Sequence, residues 1–449
     1  MKEYKTISSI KSPLLFLKNT KNIGLGELVQ VKTPTGEIRS GEVLSLTKDF
    51  CVVEVFEGTN GLNTNNTTVT FLEDTYKMSL SKDMLGGIFN GLGDPIDIEF
   101  PIETKKDITG NPLNPYKRNV PDEFIQTGFS AIDGLITLVR GQKLPIFSAS
   151  GLPHNKLIAK IAKNVCDESK KDQIVIFAAM GITKKESEYF KNFFEKSGSL
   201  NNLILFLNLA EDSSIERIIT PRVALTTAEF FAWELKKDVL VILGDMTNYA
   251  NALRELSAIK EEVPGRLGYP TYLYSDFASI YERTGRIKNQ KGSITQLIYL
   301  TMPENDITHP IPDLTGYITE GQILLSQNLE QKGISPPINI IPSLSRMMHK
   351  GIGINKTQDA HMQLSNQIYS AYSEGIRLEN LKNIVGSDAL SQRDKQYLLF
   401  KNHFETDFLS QKEKRTIKET LFIGWSLLSI LPKDELTKIE KKYITKYME

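Results

Sequence analysis

Between residues 124 and 329, short apolar runs alternate with segments whose apolar positions recur every three or four residues. The runs at 144–147, 174–179, 203–207 and 239–243 read as buried strands. The segments 155–165, 185–196, 223–234 and 249–261 read as helices, the first through Leu157, Ile158, Ile161, Ala162 and Val165. Such alternation predicts βαβ units and a mostly parallel sheet covered on both faces, with ligands at the carboxyl ends of its strands.

The pattern differs on either side. Residues 1–75 show period-two alternation at 27–32, 41–46, 51–56 and 67–72, with a hairpin turn at 33–36 and an Asn-rich polar loop at 60–67. This predicts a small closed β-barrel, because an open meander would leave its edges unprotected. The stretch 76–120 opens a central domain reaching residue 350. Its part 81–115 is rich in Gly, Pro and Asp and reads as a wrapping linker, kept extended by Pro112, Pro115 and Pro121. Past residue 353 the strand signal stops. Helical spacing at 358–374, 394–404 and 416–431, followed by a charged segment at 433–447, predicts a helical bundle over 351–449.

At 449 residues, the chain exceeds what one core usually supports, in keeping with several domains. Fifty-four basic residues balance fifty-four acidic ones, which argues against an extended nucleic-acid surface. Cys51 and Cys166 lie in apolar contexts without metal-ligand spacing and read as buried free thiols. No apolar run reaches the roughly 18 residues of a membrane span, and no signal-peptide core is present, so an intracellular soluble protein is expected.

The candidate chemistry begins where the first strand of the α/β region ends. Strand, flexible loop and helix over 143–159 follow the plan of a phosphate-binding loop. A working G-x-x-x-x-G-K-[ST] uses backbone N–H groups, a lysine and a hydroxyl to hold phosphate and magnesium. Here those positions are Ser148, Pro153, His154 and Asn155, around Ser150 and Gly151. Pro153 removes an N–H, and a mostly neutral His154 replaces a permanent cation. From the loop alone, an ordinary strand-turn-helix connection is an equal reading.

Two further strand ends bear on the choice. The strand at 239–243 leads through Gly244 to Asp245, where a magnesium-contacting carboxylate or a helix cap is expected. After the strand at 174–179 comes Ile182, where a hydrolase of this plan would carry a glutamate base.

The runs SASGLPHN (148–155), ILGDMTNYANALRE (242–255), EEVPGRLGYPTYLYSDFASIYERTGR (261–286), GSITQLIYLTMPENDITHPIPDLTGYITEGQI (292–323) and PPINIIPSLSRMMHKGIG (336–353) resemble the B subunit of V-type and archaeal-type rotary ATPases. Pro337, Ser343 and Ser345 also match a signature shared by the α and β subunits of rotary ATPases. The resemblance spans essentially the whole chain. It implies an N-terminal barrel, a central RecA-like domain with a degenerate P-loop and a C-terminal helical bundle. It also implies a non-catalytic subunit that alternates with catalytic A subunits, three of each, in a ring coupling ATP hydrolysis or synthesis to proton or sodium transport.

Arg346, directly after the SLS turn, would reach in trans into the partner's ATP site, where a fixed forked cation stabilises phosphoryl transfer. The chain itself would need no cofactor or metal, ATP or ADP with magnesium sitting at the interface with the catalytic A subunit. Weak or no nucleotide binding is expected at Ser148, Ser150, Gly151, Pro153, His154, Asn155 and Asp245. Further implied partners are the central rotor stalk beside the bundle and the peripheral stalks at the barrel, with no nucleic acid. Contact with the membrane would be indirect, from its cytoplasmic side. Glu282, Arg283 and Arg286 read as structural or interface ion-pair residues, and Met347, Met348 and His349 as packing residues. Two alternatives are an active RecA-like hexameric ATPase, which should retain the lysine and the glutamate, and a nucleotide-sensing regulatory protein that binds without hydrolysis.

Overall fold

The computed structural model describes residues 2–18, 20–168, 173–386 and 390–448. It divides into two compact units, Met1–Pro112 with Ile176–Leu235 and Leu243–Arg283, and Leu113–Val175 with Lys236–Ile242 and Thr284–Glu449.

In the first unit, strands Lys2–Tyr4, Ile7–Lys11, Leu14–Lys18, Leu28–Lys32, Ile38–Leu46, Phe50–Val55 and Thr68–Phe71 form one antiparallel sheet. The first two strands of the chain lie at its opposite edges. Only Lys5 and Thr6 separate them, a reach of roughly 10 Å, so the sheet curls into a barrel. Leu15, Leu17, Val29, Val31, Val43, Val53, Val55, Val69 and Phe71 fill the interior, the alternate positions of their strands. The three strands before residue 20 escape the sequence reading because they are short and broken by the turn at Ser12 and Pro13.

The same unit corrects two expectations. The segment 81–115 is more than linker: Ile88–Asn90 pairs in parallel with Leu203–Leu209, and Thr104–Asp107 pairs with Lys77–Leu80. Strands of three or four residues are too short to show a period. The helix expected at 223–234 begins at Ser214, capped by Ser213 on the Glu216 N–H, and runs to Glu229 before a wider π turn at Phe230–Glu234. Pro221 lies inside it, and its residues are buried nearly all round, which erases the single apolar face. Helix Lys184–Ser197 starts on a Thr183–Glu186 capping box. Arg283 is buried and donates to both Glu229 oxygens, at 2.7 and 2.8 Å, and to the Ile108 carbonyl.

In the second unit, Lys143–Ser148 pairs in parallel with Ser293–Thr301 on one side and Gly321–Leu325 on the other, and Ile338–Ser345 closes that end antiparallel. Arg286 pairs with Asp122 and Glu123. Helices His361–Val385, Gln392–His403, Ile417–Leu428 and Lys441–Met448 make the bundle. Ser391–Asp394 and Thr416–Glu419 capping boxes fix two helix starts. Phe404 lies 4.5 Å from Tyr372 and 5.2 Å from Phe408, centroid to centroid. Of the three residues read as packing, Met348 is buried, whereas His349 is exposed on a short helical turn. Cys166 is buried in the helix His154–Glu168, as Cys51 is in the barrel, and burial pushes their thiols up to about 12 and about 11.

Candidate functional site

The loop Ala149–Pro153 follows a strand buried along its whole length and leads into the helix His154–Glu168. Gly151 takes a left-handed φ of +81° with open space around its Cβ position, so the turn uses glycine for its backbone. A phosphate cradle needs several N–H groups converging on open space. Here three of them are bonded within the chain. Ser150 donates to Asn305 Oδ1 at 3.3 Å, Leu152 to the Ala149 carbonyl at 3.4 Å, and His154 to the Leu152 carbonyl at 2.8 Å. Pro153 has no N–H to offer. The imidazole of His154 turns back on the strand end, with Nδ1 3.2 Å from Ser148 Oγ and its ring 5.8 Å from that of Tyr299.

Arg346 presents the opposite situation. It leaves the strand Ile338–Ser345 on the exposed side, and among the described residues no carboxylate pairs with it. Among the described residues its guanidinium makes one bond, Nη1 to the Thr319 carbonyl at 2.8 Å, and its N–H donates to the Glu320 carbonyl at 2.9 Å. With most of its fork unused, the guanidinium can take further acceptors from outside.

The residues under Arg346 are the part that sequence reasoning did not find. The side chain of Lys143, only 3% exposed, meets Glu320 Oε1 at 3.0 Å, and its N–H donates to Oε2 at 2.8 Å. Gln142 Nε2 donates to the Glu320 carbonyl at 3.1 Å and to Ser345 Oγ at 2.9 Å, and Ser345 Oγ donates to the Thr137 carbonyl at 2.9 Å. Ser343 Oγ donates to the Asn339 carbonyl and accepts from the Leu324 N–H. The two signature serines therefore fasten the turn that carries Arg346. The available signal was Lys143, a charge opening an otherwise apolar buried strand.

In the first unit, Asp245 caps the helix Met246–Ile259, its Oδ1 accepting from the Thr247 N–H at 2.8 Å. Ile182 ends its strand buried, and its carbonyl accepts from the Ala210 N–H. Amides surround that strand end: Asn208 Oδ1 accepts from the Gly181 N–H at 3.0 Å and from Arg217 Nε at 2.9 Å, and Asn248 Nδ2 donates to the Met180 carbonyl at 3.0 Å. Ile182 itself accepts no proton, and the carboxyl group of this network, Glu216, is bonded to Asn208 and accepts from the Gly91 N–H at 3.0 Å.

Comparison with known proteins bears on the whole chain. Residues 128–345 match the nucleotide-binding domain of the ATP synthase alpha/beta family, residues 7–73 its beta-barrel domain, and residues 350–448 the C-terminal domain of V and A type ATP synthase. A curated relative, the B subunit of A-type ATP synthase from Aeropyrum pernix, is 52% identical over all of this chain and 98% of its own. A solved structure of NeqB, described as a unique ATP synthase subunit from Nanoarcheaum equitans, superposes with a TM-score of 0.75 at 41% identity, over 93% of this chain and 98% of that one.

Proposed function

The chain belongs to the B-subunit family of V/A-type rotary ATPases, and from that premise we propose that it is the non-catalytic ring component that lends Arg346 to a neighbouring catalytic site. Three such chains alternate with three A subunits. The ring couples ATP hydrolysis or synthesis to movement of protons or sodium ions through a separate membrane sector. Among the described residues no helix is long and apolar enough to cross a membrane, in keeping with a chain held at the cytoplasmic face through its partners. Rotor-stalk subunits meet the bundle, and peripheral-stalk subunits meet the barrel.

The observation that carries this reading is the exposed, largely unused guanidinium of Arg346, in a chain whose phosphate-type loop has Pro153 in place of a donor and its Ser150, Leu152 and His154 N–H groups already bonded. A chain whose loop is closed to phosphate but which displays a fixed cation can act on a phosphate held elsewhere. As charge spreads over the transferring phosphoryl oxygens, a forked guanidinium gains more than a point charge does. ATP with magnesium would be held by the catalytic partner, with Arg346 contributing across the interface.

The test is hydrolysis by the complex assembled from the purified catalytic partner and the Arg346→Ala or Arg346→Lys chain, with native mass measured on the same samples. Rings of three copies of each chain should form in both cases, and kcat should fall by about 10³ or more in the alanine variant. Lysine should be severely impaired as well, with the loss in kcat rather than KM. A fully assembled Arg346→Ala ring that keeps more than about a tenth of normal kcat excludes the trans role.

A further inference from the structure

Two glutamates on neighbouring barrel strands face the same way. Glu42 in Ile38–Leu46 and Glu54 in Phe50–Val55 are cross-strand partners, with Leu14 opposite Glu54 on its other side. Directly opposed residues have Cβ atoms about 4.5–5.5 Å apart. Val43, Cys51, Val53 and Val55 point into the barrel core, so Glu42 and Glu54 project from its outer surface.

That outer surface is covered. Leu14, Phe16, Leu44 and Val52 line a crevice of about 310 Å³ whose other wall is the turn Ile259, Lys260, Glu261 and Glu262. Glu54 is 4% exposed, and among the described residues its carboxyl group accepts no hydrogen bond and has no ion-pair partner.

Lys260 and Arg222 hold both groups down in part, but they do not offset the burial. Lys260 lies 4.0 Å from Glu262, and Arg222 is committed to Asp276 at 2.7 Å and Tyr249 at 2.8 Å. Lys11 pairs with Glu261 at the rim. Asp107 adds negative potential at Glu42, and the Tyr272 hydroxyl, bonded to Glu262, feels the charge of Glu54. A carboxyl buried beside another carboxyl without donors takes up a proton rather than staying charged. Burial raises both groups, Glu54 to about 8, with the charge of Glu42 adding to it. The pair titrates as a unit.

We infer that Glu42 and Glu54 form a proton-controlled latch: a proton held by the pair keeps the outer face of the barrel seated on the Ile259–Glu262 turn, and its loss loosens that seat. In the open state both groups are ordinary carboxyls in water. The closed state therefore binds the proton more tightly. Its advantage is complete below the ordinary glutamate value of 4.5, falls as pH rises, and is gone above about 8.

Hydrogen exchange on the full chain, with exposure times scaled to the intrinsic rate at each pH, tests this. In peptides covering 256–262 and 38–55, the opening constant should rise by up to about tenfold per pH unit between pH 6 and 8 and then level off. The bundle helix Gln392–His403 serves as the control and should not follow this profile. Glu54→Gln, which keeps shape without charge, should flatten the rise. Glu42→Gln should move it to lower pH and Lys260→Met to higher pH, so the inference stays testable if Glu54→Gln fails to fold. An unchanged profile in Glu54→Gln, or in Glu42→Gln where the former does not fold, overturns the latch, as does a wild-type profile without a rise.

Discussion

Removing the Glu320 carboxylate tests whether the platform under Arg346 is held by the charge of Lys143. Breaking a buried pair from one side costs about 3–5 kcal/mol, while replacing both charges by neutral groups of similar size is close to neutral. Lys143 is nearly fully enclosed and Glu320 is 23% exposed, which places Glu320→Gln at the low end, about 3 kcal/mol. Amide exchange across Lys143–Ser148 and Gly321–Leu325 reads this locally, without assuming two-state unfolding of a multidomain chain. Opening there should become about 10² times more frequent, since 1.4 kcal/mol is tenfold. The double variant Lys143→Met/Glu320→Gln should recover most of that loss, giving a coupling of about 2 kcal/mol or more. Because the Thr319 and Glu320 carbonyls hold Arg346, the single variant should also lower hydrolysis by the assembled ring, by up to about 10²-fold for a misplacement near 1 Å. A cost below about 1 kcal/mol, or strict additivity in the double variant, would refute this account of the platform.

The isolated chain should bind magnesium-ATP with a Kd no tighter than about 1 mM by calorimetry, and His154→Lys alone should not improve it, because the Ser150 and Leu152 N–H groups stay bonded and Pro153 stays in place; a Kd tighter than about 10 μM would contradict the loop geometry. Burial pushes His361 down to about 4, with Nε2 2.9 Å from the Gly134 carbonyl and Nδ1 2.9 Å from Thr357 Oγ1. Its contribution to stability is full above pH 6.5 and is lost as pH falls towards 4, up to about 3 kcal/mol, so His361→Gln should flatten the acid limb of a denaturation profile; an unchanged limb rejects this assignment.

The legible parts of the chain are those where local pattern and environment agree. The strand Lys143–Ser148 and the helix after it could be read because a continuous apolar run and a 3.6-residue stripe each match one structure. The helix Ser214–Glu229 was misplaced because burial on all sides leaves no stripe and Pro221 suggests a break. Ile88–Asn90 was missed because three residues carry no period. At the site, Pro153, His154 and Ile182 were visible as departures from a pattern of residue types. Their consequence depends on contacts that the pattern does not contain: Asn305 reaches Ser150 across 155 positions, and Glu320 reaches Lys143 across 177.

One strand joins the two halves of the candidate site. Lys143 opens it and fixes Glu320, whose carbonyl takes the Arg346 N–H, while Ser148 closes it against His154. On the proposed reading these ends answer to different demands. At the loop end a phosphate need not be held, so proline and a folded-back imidazole are tolerated. At the other end a guanidinium must keep its direction within a fraction of an ångström to matter to chemistry on a neighbouring protomer. A side chain as long as arginine does not hold a direction by itself. The Thr319 carbonyl, the Ser345–Gln142 bond and the Lys143–Glu320 pair supply that constraint from the sheet. The parallel α/β scaffold is thus needed even where its phosphate loop is closed, because it turns an exposed arginine into a positioned one.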